Sequence, residues 1–361
     1  MKILTVVGAR PQFIKAAAMS RILRREHQEI LVHTGQHFDE NMSGIFFDEL
    51  DIPRPDYNLG ISGGTHGQMT GRMLMAVEDV LLKERPDAVL LYGDTNSTLA
   101  AALAAVKLQI PVIHVESGNR FGSLGSPEEV NRICTDHVSG LRFACVQSAL
   151  ESLEKENLGK GSYLVGDPMY DAFLHYRGRK ELKDFELKDI VGDSTLSVPQ
   201  KYYYLTCHRE ENTKDSVVLC GILDAMECLD ALVVYPVHPR NRGKVLELQR
   251  EHGYENILFV DPVGYLESIA LVSSAEKVVT DSGGVQREAF FARKKCVTVL
   301  DYVVWPETMD GNANELAKPD AKEILEKLER RPEWHPGYEP FGDGHACEKM
   351  CRYIQMFGEN L

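Results

Sequence analysis

The sequence predicts an α/β protein of two doubly wound domains, on three observations. Short apolar runs alternate with longer segments of helical period, the alternation breaks once in a polar stretch near the middle, and it then resumes as a second series. In the first series "KILTVV", "EILVHT", "AVLLYG", "VIHVES" and "FACVQ" are strand-like. Between or after them stand "FIKAAAMSRILRRE", "TGRMLMAVEDVLLKE", "STLAAALAAVKLQ" and "ALESLEKE", which carry the helical period. Strands that are apolar throughout, each followed by a helix, form a mostly parallel sheet covered on both faces. From about Tyr176 to Gln200 the chain is polar and lacks a strong strand, so it reads as an interdomain connection with a helix in it. The second series runs through "KYYYLTCHREE", "ALVVYPVHP", "ILFVDP", "KVVTDSGG" and "KCVTVLD". The expected domains are residues 1–170, joined by a C-terminal helix at about 345–361, and residues 171–344.

Bulk properties exclude several classes of function. The chain has 361 residues, enough for about two domains of 100–200 residues each. Lys and Arg total 40 against 54 Asp and Glu, a formal net charge of −14, which repels nucleic acid and anionic membrane as general partners. There is no run of about 18 apolar residues. The opening "MKILTVVGARPQFIK" has too short an apolar core for a signal peptide, so a cytoplasmic protein is expected. Eight cysteines occur with no C-x-x-C spacing, which reads as free thiols in a reducing compartment. Cys347 and Cys351, at i and i+4 on a helix, read as packing thiols, and no metal site is expected.

Ligands of doubly wound sheets collect beyond the carboxyl ends of the strands, and a cleft between two such domains is the expected active site. Gly8, Arg10, Asp94, Glu116, His208, His238 and the run Ser282, Gly283, Gly284 each come directly after a predicted strand. In "VVTDSGGVQREAFFA" two glycines allow close backbone approach, and the first helical turn then offers free N–H groups, a site suited to a diphosphate. A tight connection is the simpler reading of the same turn. In "GARPQFIK" the planar fork of Arg10 suits phosphate oxygens, and Lys15 follows one helical turn later; a solvated surface arginine is the alternative. Asp94 could cap the helix beginning near Asn96. Glu116 could pair structurally with Arg120 or Arg132, Glu128 and Glu129 suit the first turn of a helix, and His208 could simply hold its loop.

The ordered motifs "GARPQFIK", "TGQHFDENMS", "YGDTNSTLA", "HVESGNR", "PEEVNR", "CHREEN", "PVHPR", "TDSGGVQREA" and "WPET" span nearly the whole chain. In them the chain resembles the non-hydrolysing UDP-N-acetylglucosamine 2-epimerase family. Within it, "GQHFDENMSGIFFDELDIPRPDYNL" with "THGQMTGRML" is most similar to the branch acting on UDP-2,3-diacetamido sugar acids. The resemblance implies the GT-B type of fold, with two Rossmann-like domains facing across a cleft, and a homodimer. It implies a UDP-sugar substrate epimerised at C2 by expulsion and re-addition of UDP, with no cofactor.

Asp94, Glu116 and Glu128 match the family's functional carboxylates and His208 its functional histidine. Arg10, Lys15, Ser282, Gly283 and Gly284 correspond to the diphosphate site, and Glu288 to the residue that binds the uridine ribose. His238 matches a histidine near bound nucleotide. Gln36, His37 and Arg72 match positions near a second site, for an activating UDP-sugar. The chain departs from the family pattern in "LDYVVWPET", where Leu300 replaces an arginine and Val303 and Val304 replace Thr-Glu, and in the segment "FGSLGS", which lacks the branch's second arginine. A hydrolysing relative, a UDP-sugar glycosyltransferase of the same fold and a non-catalytic nucleotide-sugar sensor are the alternatives. No G-x-G-x-x-G occurs, so no nicotinamide is implied.

Overall fold

The computed structural model describes residues 1–36, 49–122 and 125–359. They form two compact units, one of Met1–His175 with Glu339 onward and the other of Tyr176–Tyr338. In the first, β1 (Lys2–Val7), β2 (Gln28–His33), β3 (Tyr57–Asn58), β4 (Ala88–Tyr92), β5 (Val112–Val115), β6 (Leu141–Ala144) and β7 (Ser162–Leu164) make one sheet in the order 3-2-1-4-5-6-7. Every pairing in it is parallel. The helices of this unit are α1 (Arg10–Leu23), α2 (His66–Glu84), α3 (Asn96–Lys107), α4 (Pro127–Val138), α5 (Gln147–Lys155) and α6 (Pro168–Tyr176). Strands β1 and β4 are almost wholly buried because helices cover both faces, which is why they are apolar at consecutive positions rather than alternate ones.

Helix α3 shows how local sequence selects its element. Its run of alanines carries the highest helix propensity, and Thr95 caps it by accepting from Thr98 N. The small side chains of Ala100, Ala101, Ala104 and Ala105 are fully buried. The first turn of this helix also dictates the glycine after β1. A Cβ on Gly8 would lie 2.2 Å from Ser97 Oγ and 2.4 Å from Thr34 Oγ1, so no larger residue fits there.

The polar stretch after Tyr176 departs from expectation. Only one 3-10 turn, Leu182–Asp184, is helical; β8 (Glu186–Lys188) and β9 (Thr195–Ser197) then pair antiparallel. In "FELK" Phe185 and Leu187 turn inward and Glu186 and Lys188 outward, an alternation too brief to stand out from a polar sequence. Asp189 fixes the turn, accepting from Val191 N at 2.8 Å and Gly192 N at 2.9 Å.

The second unit's main sheet is also parallel, with β10 (Tyr202–Thr206), β11 (Leu232–Pro236), β12 (Ile257–Val260), β13 (Lys277–Thr280), β14 (Lys295–Val299) and β15 (Asn314–Ala317) in the order 12-11-10-13-14-15. Around it lie α7 (Glu210–Thr213), α8 (Ser216–Glu227), α9 (Arg242–His252), α10 (Tyr265–Ser274), α11 (Gly283–Phe291) and α12 (Ala321–Glu329). In both sheets the order in which strands are added reverses, between β1 and β4 and between β10 and β13. There the loops leaving neighbouring strands diverge and open a crevice.

The last helix, α13 (Ala346–Gly358), belongs to the first unit and packs on α1. Tyr353 stacks on Tyr163 with centroids 4.0 Å apart, and Asp171 accepts from the leading amides, Ala346 N at 3.1 Å and Cys347 N at 2.7 Å. Burial pushes the Asp171 carboxyl up, against the lowering effect of those two amides. Asp171→Ala should therefore lower stability by about 1–2 kcal/mol in urea denaturation, the scale of a lost helix cap. Amide exchange in α13 should accelerate selectively; exchange that rises equally throughout the unit would contradict the capping role.

Candidate active site

The crevice of the first unit is built around buried charge. Gln12 is its tie: Oε1 accepts from Gly8 N and Ala9 N, and Nε2 donates to Tyr92 O, Thr95 Oγ1 and Thr98 Oγ1. One side chain thereby joins the turn after β1 to the turn after β4. One helical turn beyond Gln12, Lys15 is 3 % exposed and its ammonium meets the Glu116 carboxylate in an ion pair. Glu116 itself has φ +69°, the left-handed region that a residue with a Cβ seldom enters. Its own N–H and that of Ser117 both donate to Phe143 O, at 3.1 and 3.0 Å. Strain of about 1–3 kcal/mol at such a residue persists only where the surroundings enforce it. Here the enforcement comes from the buried lysine and the shared carbonyl.

Asp94 follows β4 and is a quarter exposed. Arg132, from α4, is almost completely buried and bridges two carboxylates, pairing with Asp94 and with Glu129 at 2.6 Å. The face of its guanidinium lies over the Phe121 ring at 4.4 Å. Asn131 adds a hydrogen bond to Asp94 O at 2.9 Å. The two adjacent glutamates of α4 divide sharply. Glu129 is buried and also accepts from Phe121 N and Gly122 N, whereas Glu128 is exposed and accepts from Ser126 Oγ at 2.7 Å. Thr95, and not Asp94, is the cap of α3, which leaves the Asp94 carboxylate facing its arginine. Arg120 pairs with Asp136 at 2.8 Å and with Glu156 at 2.7 Å. The structure thus assigns Glu116 to Lys15 rather than to either arginine.

In the second unit the crevice is organised by Asp281, at the end of β13. Its Oδ2 accepts from His208 N at 2.9 Å and Arg209 N at 2.8 Å, and Oδ1 lies 3.1 Å from His208 Nδ1. Burial alone would raise this carboxyl, but the His208 ring and the two amides hold it below the usual carboxylate value. Ser282 caps α11 by accepting from Val285 N, and Gly283 and Gly284 form the first helical residues, with Glu288 buried one turn further on. A Cβ on Gly283 would come within 3.1 Å of Val304 Cγ1 and 3.4 Å of Trp305 Nε1. The substituted loop therefore lies against the start of α11; Leu300 is buried and the Arg287 guanidinium sits 4.0 Å from the centre of the Trp305 ring. The His238 ring faces that of His208 with centroids 6.3 Å apart and the planes inclined by 24°.

Of the remaining expected positions, Arg10 is the first residue of α1 and partly buried. Gln36 accepts from Ser97 N and Ser97 Oγ at the start of α3. Arg72 donates to Ser62 O and Gly63 O, in a surface hollow that Gln68 and Met75 also line. His37 lies outside the described residues. Sequence reasoning missed Gln12, Arg132, Glu129 and Asp281 as organisers; Arg132 and Asp281 were legible only as polar residues within motifs. Glu116, Cys145 and Asp167 bring ligand-type atoms within 4.8 Å of one another in the buried interior. The Lys15 ammonium pairs with Glu116 and Met169 N donates to Asp167, so both carboxylates already have partners within the protein.

Two outcomes follow from these pairs. Arg132→Lys keeps the charge but cannot reach two carboxylates with one fork. It should cost about 3–5 kcal/mol in denaturant unfolding, as expected for a broken buried pair, and an unchanged midpoint would contradict the bridging role. Asp136 is held at about 2, where burial would raise it and His114 and Arg120 outweigh that effect. A carboxyl depressed in the folded state contributes stability above its unfolded value and loses it as pH falls through the folded value. The unfolding free energy should thus drop by about 2 kcal/mol from this residue between pH ~4 and ~2, measured by urea titration at each pH.

The family of UDP-N-acetylglucosamine 2-epimerases matches residues 21–355. A UDP-N-acetylglucosamine 2-epimerase homolog of Methanococcus maripaludis is 44% identical over 363 residues, covering 98% of this chain and 99% of that protein. The UDP-2,3-diacetamido-2,3-dideoxy-D-glucuronate 2-epimerase of Pseudomonas aeruginosa is likewise 44% identical, over 366 residues, with 98% and 99% covered. The crystal structure of Methanocaldococcus jannaschii UDP-GlcNAc 2-epimerase in complex with UDP-GlcNAc and UDP superposes with a TM-score of 0.88 at 37% identity, covering 99% of this chain and 100% of that one. With two Rossmann-like domains of the GT-B type and a match over nearly its full length, the chain belongs to the UDP-N-acetylglucosamine 2-epimerase family.

Proposed function

We propose that the protein inverts C2 of a UDP-linked 2-acetamido sugar without net hydrolysis. A base removes the C2 proton while the C1–O bond to UDP breaks, giving a 2-acetamidoglucal and UDP. A proton is then delivered to the opposite face of C2, and the UDP oxygen re-forms the bond to C1. The C2 proton has no adjacent carbonyl to acidify it, so departure of the diphosphate must accompany its removal. The reaction therefore needs acid and base groups around C2 and a site that stabilises a departing diphosphate.

The observation that carries this reading is the pairing of Asp94 and Glu116 at one crevice, each with its own buried cation, Arg132 and Lys15. A protein that only bound nucleotide sugars would have no need to bury two such pairs and strain the Glu116 backbone to do so. In this reading Asp94 and Glu116 exchange protons with the sugar, assisted by Glu128 and His208. Arg10 and the first-turn amides of α11 at Gly283 and Gly284, with Ser282, hold the diphosphate; Glu288 accepts from the ribose hydroxyls. The complex of the Methanocaldococcus jannaschii relative with UDP-GlcNAc and UDP supports a UDP-sugar as the substrate class. The Pseudomonas aeruginosa relative makes a diacetamido uronic acid the second sugar to test.

Incubation with either UDP-sugar, followed by proton NMR, should show a second UDP-sugar with the manno configuration and little free sugar. Release of free 2-acetamidomannose-type sugar with UDP would identify a hydrolysing enzyme instead, and turnover only on addition of an acceptor a transferase. Ser282→Ala and Glu288→Ala should each weaken UDP binding by about 1–3 kcal/mol in calorimetry while the fold survives. Asp94→Asn and Glu116→Gln should lower the epimerisation rate by about 10²-fold or more.

A further inference from the structure

Strand β5 carries a titratable residue that the proposed chemistry does not use. His114 lies two residues before Glu116, is fully buried and has both ring nitrogens in short contacts. Nδ1 is 2.7 Å from Asp136 Oδ1, and Nε2 is 2.7 Å from the backbone oxygen of Gly93. Both partners are acceptors, whereas a neutral imidazole has only one N–H. With a single proton on the ring, one of the two contacts would set a nitrogen lone pair against an oxygen lone pair at 2.7 Å.

Asp136 is the other half of the arrangement. Its Oδ2 accepts from Gly118 N at 3.0 Å and Arg120 Nη1 at 2.8 Å. Arg142, from β6, donates to the Asp136 backbone oxygen at 3.2 Å, and Glu156, at the end of α5, balances Arg120. Gly93 directly precedes Asp94 and has φ +62°, and Gly118 stands two residues after Glu116 with φ +87°. A Cβ built on Gly93 would lie 3.6 Å from Lys15 Nζ and 3.9 Å from Glu116 Oε1, so this peptide runs beside the Lys15–Glu116 pair.

Resting on the epimerase reading, we infer that His114, doubly protonated and out of water, is a positioning residue. It clamps the loops carrying Asp94 and Glu116 to one buried carboxylate, Asp136. Two loops that leave the adjacent strands β4 and β5 are thereby fixed against each other by three hydrogen bonds through one charged dyad. His114 touches no substrate in this account; its effect reaches the chemistry through the peptide before Asp94 and the turn after Glu116.

The test has two arms. Nitrogen-15 NMR of ring-labelled wild-type protein at neutral pH, with the His114 signals assigned from a His114→Gln spectrum or by sequential assignment, should show protons on both ring nitrogens. A singly protonated ring overturns the inference, whatever the activity. Steady-state kinetics of His114→Gln should show kcat reduced by about 10–10²-fold, the scale of a misplacement of about an ångström, with KM and the UDP dissociation constant within about twofold of wild type. If His114→Gln does not fold, Asp136→Asn is read in the same way. Unchanged kcat, or a loss carried by KM, overturns the positioning role alone. Absence of epimerisation by the wild-type protein overturns the functional reading and the positioning role with it, while the ring protonation stays measurable.

Discussion

A lysine and a glutamate that meet almost entirely out of water set the terms for the first unit's crevice. An unpaired charge at either position would cost several kcal/mol, so Lys15 and Glu116 each require the other. Meeting that need has consequences for the chain: Lys15 is buried on α1 and Glu116 takes up a left-handed conformation. The same requirement recurs around it. Arg132 serves Asp94 and Glu129, and Arg120 serves Asp136 and Glu156. The crevice is thus a lattice of compensated charges in which moving one member uncovers another.

The second unit meets a different demand with less charge. Asp281 is fully buried: its Oδ2 accepts from the amides of His208 and Arg209, and its Oδ1 faces the His208 ring. That arrangement orients the turn after β10 and leaves the first turn of α11 with its own amides directed outward from a capped helix start. The first unit therefore presents ion-paired carboxylates at its strand ends, and the second presents the His208–Asp281 pair together with the amides of a capped helix start. Proton transfer needs the former and diphosphate binding the latter. Val304 and Trp305, packed against Gly283, place apolar and aromatic surface beside that helix start.

Much of this was legible in the chain. Apolar strands such as "AVLLYG" and the alanine-rich α3 announce their elements through periodicity and propensity, and the rule that ligands gather at strand ends singled out Asp94, Glu116, His208 and Ser282. The β8–β9 hairpin was not legible, because two inward side chains, Phe185 and Leu187, are too few to establish a period. Partners were not legible either. Spacing suggested that Glu116 would meet Arg120 or Arg132, which are close in sequence, yet its partner comes from α1, 101 residues earlier by number (116 − 15). That distance is closed by the adjacency of β1, β4 and β5, a fact of sheet order that no local pattern encodes. Likewise nothing in "PEEVNR" says which glutamate faces inward; the helix start at Pro127 turns Glu129 to the core and leaves Glu128 in water.

The central claim is that a carbon–hydrogen bond at C2 breaks and re-forms while UDP is off the sugar, and it has a direct isotopic signature. Wild-type protein turned over with a UDP-linked 2-acetamido sugar in deuterium oxide should return both epimers carrying deuterium at C2, since the abstracted proton equilibrates with solvent before the other face is protonated. If neither UDP-GlcNAc nor the UDP-linked 2,3-diacetamido uronic acid acquires deuterium at C2, the epimerase account is wrong.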